Sequence, residues 1–192
     1  MTTAIRKPAL LFIEDQQSAN AVFGCDQDWY HESWQRRAGC GPCTAATILF
    51  YLARSRHTLS RLYPNATGSR PDFTCFMADI WHYVTPGVKG VNEASMLVDG
   101  VLRYAAGLDI TLVASTQKVP AKRQRTAPFA EWADFIRAGL DQDSPVAFLN
   151  LSNGRLPNLD SWHWVTITSL DDQGQAGISD SGTQKTIDLA RW

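Results

Sequence analysis

Residues 42–54, PCTAATILFYLAR, place apolar side chains on nearly every side of a helix: Ala45, Ala46, Ile48, Leu49, Tyr51 and Leu52 leave no polar face. A helix apolar all round is a buried one, so the segment predicts a central helix packed on all sides. Pro42 fits its first turn, where a missing N–H costs nothing. Just before it, Gly39-Cys40-Gly41 sets a thiol between two glycines at the helix N-terminus. Unsatisfied N–H groups and the positive end of the macrodipole gather there, and such surroundings favour a thiolate, the form in which sulfur attacks. The glycines remove side chains that would hold a substrate backbone away.

At 192 residues the chain suits one domain with a sizeable core, 1–192, with residues 1–33 as an N-terminal strand and loop extension. ALLFIED (9–15) reads as a strand, followed by a polar and aromatic loop up to Gly39. Helices are predicted over 74–84, stopped by Thr85-Pro86-Gly87, and over 92–107, capped by Asn92 and ended by Gly107. ITLVAS (110–115) has the composition of a strand, KVPAKRQRTAP (118–128) that of a solvated basic loop, and 129–140 the spacing of an amphipathic helix. The final third is different: 145–151, 162–170, 175–180 and 184–189 are β-branched, alternating and separated by turn signals such as DDQG. Helices first and consecutive strands later predict an α+β fold, a buried N-terminal helix bearing the cysteine on a mainly antiparallel C-terminal sheet.

A formal net charge of -1 argues against a general nucleic-acid or anionic-membrane partner. The longest apolar run near the start, ALLFI, is far shorter than a signal-peptide core or a membrane span. The expectation is a cytoplasmic protein whose four cysteines, Cys25, Cys40, Cys43 and Cys75, stay reduced. Structural zinc sites bring two closely spaced ligand pairs; only Cys40 and Cys43 are paired here, so no metal and no organic cofactor is implied.

Cys40-Gly41-Pro42-Cys43 also matches the tetrapeptide of thioredoxin-like thiol-disulfide oxidoreductases. That site sits at the exit of a buried strand within a βαβ unit. The preceding DWYHESWQRRAG has no continuous apolar strand, which favours carbonyl attack over disulfide exchange. Attack needs a histidine that takes and returns a proton, and a third group that orients it. His31, His57 and His82 fall in loop-like surroundings or on a helix flank. His163 lies in SWHWVTITSL, sharing one strand face with Val165 and Ile167. An antiparallel return through DDQG brings Asp180 to the same end of the ladder, within side-chain reach given register slack or a bulge. Asp160, three residues upstream on a loop, is a poorer partner. Of the seven tryptophans, Trp162 and Trp164 flank His163 and either shield it or pack in the sheet.

The order GCGPCTAATILFYL, FAEWADFIRAGLDQDSPVAFLNL, HWVTI and ISDSG resembles the papain-like cysteine peptidases, especially the type that cleaves double-glycine leaders of bacteriocins. The resemblance covers roughly residues 34–192 and implies Cys40 as nucleophile, His163 as general base and acid, and Asp180 as the orienting group. Gln35 matches the family's glutamine, whose amide would join the Cys40 backbone N–H as an oxyanion hole. The implied function is hydrolysis of a peptide or amide bond through a thioester acyl-enzyme. Acyl transfer or deamidation is the alternative within that chemistry, and a non-catalytic peptide-binding domain the alternative outside it. An oxidised Cys40–Cys43 pair would silence the nucleophile.

Overall fold

The computed structural model describes residues 1–16, 21–64, 67–120 and 129–192. A short helix, α1 (Ser33–Ala38), runs through Gly39 into the long apolar helix α2 (Cys40–Ser55). Ala45, Ala46, Leu49, Phe50 and Tyr51 of α2 are completely buried. Helices α3 (Arg70–Tyr83) and α4 (Ala94–Ala106) pack on one side of it, with a 3-10 turn at His57–Leu62 and the sheet covering the rest. The covering surface on the helical side is aromatic. Phe50 meets Tyr63 and Phe73 edge-on at centroid separations of 4.8 and 5.0 Å, and Phe76 meets Tyr63 at 5.0 Å. Edge-to-face contacts between such rings add to the area they bury.

The main sheet is antiparallel and is organised by one strand. β1 (Thr2–Ala4) and β4 (Val146–Asn150) lie end to end along one edge of β5 (His163–Asp171). On the other edge β6 (Gln175–Asp180) pairs with β5 and then with β7 (Thr183–Asp188). A two-stranded ladder, β2 (Phe12–Ile13) with β3 (Val22–Phe23), stands apart from it. Helix α5 (Phe129–Asp141) covers β1, β4 and β5 with Trp132, Ala133, Ile136 and Leu140, all buried. The result is an α+β fold with a mainly antiparallel sheet, and no helix of the described residues is long and apolar enough to cross a membrane.

Three local expectations are corrected. ALLFIED forms a 3-10 turn (Pro8–Leu11) followed by only two strand residues; Pro8, with its fixed φ and no N–H to leave unpaired, suits the first position of that turn. ITLVAS makes no strand. It pairs with no strand among the described residues, and Val113 is 92 % exposed. The N-terminal strand and loop extension contributes β1 to the main sheet and Ile5, Leu11 and Ile13 to the core. Helix α1 also occupies part of the span read as loop. Residues 121–128 of the basic stretch lie outside the described residues.

A buried polar knot fastens the N-terminal segment to α2. The Tyr51 hydroxyl donates to Asp143 Oδ1 at 2.5 Å and accepts from the Lys7 N–H at 3.2 Å, while the Arg6 N–H donates to the same Asp143 oxygen at 2.7 Å. Tyr51→Phe leaves these groups short of a partner and is expected to cost about 1–3 kcal/mol. Gly100 on α4 is a second fixed point: a Cβ there would stand 2.6 Å from the Tyr83 carbonyl oxygen at the end of α3. Gly100→Ala is expected to destabilise by about 1–3 kcal/mol. Urea unfolding with an unchanged m-value checks both.

Candidate active site

Cys40 is the first residue of α2, and its position is set by close approach on both sides. A Cβ on Gly39 would meet the Gln35 carbonyl oxygen at 2.5 Å and the Tyr30 ring at 2.7 Å. A Cβ on Gly41 would meet Val91 at 2.7 Å. Val91 belongs to the segment between α3 and α4, and its carbonyl accepts from Trp164 Nε1 at 2.6 Å. One residue therefore ties the first turn of α2 to strand β5 beside His163. Trp164 is buried in this tie, whereas Trp162 is 59 % exposed, with its backbone in the left-handed region (φ 57°).

His163 opens β5 and Asp180 closes β6. The β5–β6 ladder changes register between Ile167 and Ser169, a bulge that moves the Asp180 end relative to the His163 end. The two side chains meet: His163 Nε2 lies 2.7 Å from Asp180 Oδ1. Nε2 is thereby engaged, so Nδ1 is the ring nitrogen left for Cys40, which lines the same cavity as His163. Asp160 is exposed on the preceding loop, and its backbone carbonyl accepts from the Asn150 amide. His31, His57 and His82 are exposed and none lines the cavity.

The electrostatics follow from burial and pairing. Burial is the largest single influence on His163 and works against a charged ring. Hydrogen bonds to Asp180 and to Cys40 outweigh it and lift the imidazole from its ordinary 6.5 to about 10. Burial pushes the Asp180 carboxyl up, but hydrogen bonds from His163 and Lys185 hold it well below the usual carboxylate range. Cys43, one turn along α2, is buried, and burial together with a hydrogen bond to Cys25 pushes its thiol up.

A cavity of about 20 Å³, room for a single water, joins these groups. Cys40, His163 and Asp180 line it together with Cys25, Gln27, Cys43 and small hydroxyl residues including Thr47 and Ser179. A larger open groove of about 630 Å³ between α3 and α4 is lined by Tyr83, Thr85, Met96, Asp99, Leu102 and Arg103, away from Cys40 and His163.

Gln35 sits half-buried on α1 and is not among the lining residues; Gln27 is, and its Oε1 is buried with no hydrogen-bond partner among the described residues. The segment carrying Gln27 is stapled to the β6–β7 turn by Phe23 N–H to Gly182 O (2.8 Å) and Gly182 N–H to Cys25 O (2.9 Å). Sequence reading gave Gln27 and Lys185 no role and named Cys25 only among the four reduced cysteines. Gln27 and Cys25 gain their place from long-range pairing with that turn, and only Lys185, inside an alternating strand after Asp180, left a trace.

The raised His163 value fixes the sign of a pH effect. A folded value of about 10 against an ordinary 6.5 means that this stabilisation is complete below about pH 6.5 and is lost as pH rises towards 10. The stability deficit of His163→Gln, measured by urea unfolding, is expected to shrink across that window. No family model, curated protein or solved structure matches this chain.

Proposed function

We propose that the protein is a cysteine-dependent hydrolase of a peptide or amide bond, working through a thioester acyl-enzyme on a single papain-like domain. The observation that carries this reading is the gathering of Cys40 and the hydrogen-bonded pair His163–Asp180 around one cavity, drawn from a helix N-terminus and two strand ends. In this reading the imidazole takes the thiol proton and the Cys40 sulfur attacks the carbonyl carbon. The leaving amine departs with the proton returned by His163; water, giving a proton to the imidazole, then attacks the thioester carbonyl, releasing the carboxylic acid and restoring the Cys40 thiol. Asp180, on Nε2, keeps Nδ1 turned to the sulfur. Gln27 is assigned the stabilisation of the tetrahedral oxygen in place of Gln35, because Gln27 borders the cavity and Gln35 does not, and its Nε2 amide group is the kind of donor an oxyanion needs.

Disulfide exchange through Cys43 draws less support. Helix α1 leads into Cys40 where a thioredoxin-type site needs a strand, and the Cys43 thiol is pushed up by burial.

Alkylation by iodoacetamide, mapped by mass spectrometry, tests the reading. Cys40 is expected to react faster than Cys75, which is exposed on α3 and serves as an internal reference. His163→Ala removes the difference. Equal rates in the native protein overturn the assignment. On any amide substrate found by screening peptide fluorogens, Cys40→Ala is expected to lower kcat/KM by roughly 10³-fold or more and Asp180→Asn by roughly 10²- to 10⁴-fold. A Gln27→Ala loss of about 10²-fold, with Gln35→Ala near unity, separates the two glutamines.

A further inference from the structure

Asp180 has two polar neighbours besides His163. Ser181 donates its hydroxyl to Oδ1 at 3.1 Å, and Lys185 Nζ holds Oδ2 at 2.8 Å. The Asp180 side chain is 4 % exposed and that of Lys185 37 %, so the ammonium reaches inward from the surface to a carboxylate that water barely touches. The hairpin makes this reach possible. Ser181 and Gly182 both take positive φ (47° and 70°), a two-residue turn that pairs Asp180 with Thr183 and Ile178 with Lys185. Lys185 is thus the diagonal neighbour of Asp180 across the ladder, a distance that a long side chain spans.

A buried carboxylate with the imidazole as its one cationic partner would hold the ring's proton tightly. The reaction proposed above requires His163 to give that proton away. A second cation beside the carboxylate pulls the other way, because a like charge near an imidazolium disfavours the charged form. With Cys40 ionised and His163 protonated, the four groups alternate in sign and sum to zero. That balance matters where the surroundings are dry.

We propose that Lys185 is a positioning residue of this site that acts through Asp180: its ammonium fixes the outer carboxylate oxygen and offsets the carboxylate charge, so that His163 can release its proton. The inference rests on the thiol–imidazole reading of the site. The other titratable groups around the pair are Cys40 and Cys43 from α2 and Cys25 and Asp26 from the segment before α1. Asp26 carries the same charge as Asp180, so it cannot replace the ammonium.

The test is a titration of the His163 ring by ¹⁵N NMR on the full-length protein, with the pH dependence of Cys40 alkylation by iodoacetamide as a second readout. In Lys185→Met the ring is expected to titrate about one pH unit or more higher than in the native protein. The upper step of the alkylation profile moves with it, and Lys185→Arg restores both. The sign is diagnostic. A lysine that merely keeps Asp180 in place would, when removed, loosen the His163–Asp180 bond and lower the titration. A lowered or unchanged value in Lys185→Met therefore overturns the proposal. So does loss of folding in both Lys185→Met and Lys185→Gln while Lys185→Arg folds. A native His163 that titrates near its ordinary 6.5 overturns the thiol–imidazole reading itself. A high native value that Lys185→Met leaves in place overturns the role of Lys185 alone.

Discussion

Most of the length of α2 is buried, and this governs what the chain around it can do. Its side chains are apolar on every face, so α3, α4, a 3-10 turn and the sheet enclose it, and Tyr51 spends its hydroxyl on a knot with Asp143 and the backbone of Arg6 and Lys7. A helix buried this way meets solvent only at its ends. At the N-terminal end stands a half-buried cysteine flanked by glycines whose missing side chains let Tyr30 and Val91 close in. The position of the thiol is thus a by-product of core packing, and the rigidity of the core is passed on to it.

The sheet meets that fixed point with charge. β5 and β6 deliver an imidazole and a carboxylate at one end of a ladder, and β7 adds an ammonium on the far side of the carboxylate. Each group is paired, as burial demands. The pairing also grades the site from a half-buried sulfur, through an imidazole whose side chain is 12 % exposed and a carboxylate at 4 %, to a lysine at the surface. The chemistry proposed for the site draws on that gradient, with neighbours and not bulk solvent setting the state of each group.

Much of this was legible in residue order. The all-round apolar pattern marks α2, alternation marks β5 and β6, and the turn between them puts His163 and Asp180 at the same end. The bulge that the reading had to allow for is present between Ile167 and Ser169. What stayed hidden is what local pattern does not encode. β1 is three residues long and is recruited by the free edge of β5, and no periodicity shows in three residues. ITLVAS has a strand's composition but joins no edge among the described residues, and tertiary pairing overrides propensity. Gln27 enters the cavity because its segment is laced to the β6–β7 turn more than 150 residues away, whereas Gln35, nearer in sequence, stays on α1.

The two left-handed residues at the tip of the β6–β7 hairpin carry a constraint of their own. Each strand places alternate side chains on opposite faces, so adding or removing one residue at Ser181-Gly182 would turn the ammonium outward and leave the carboxylate half-neutralised. That corner of the molecule is closed to remodelling. The connection between β4 and β5 is anchored in the core by Leu156 and Leu159, but its last residue, Trp162, stands in solvent beside His163. Variation in what the cleft accommodates has its freest ground there, with the charged row left intact.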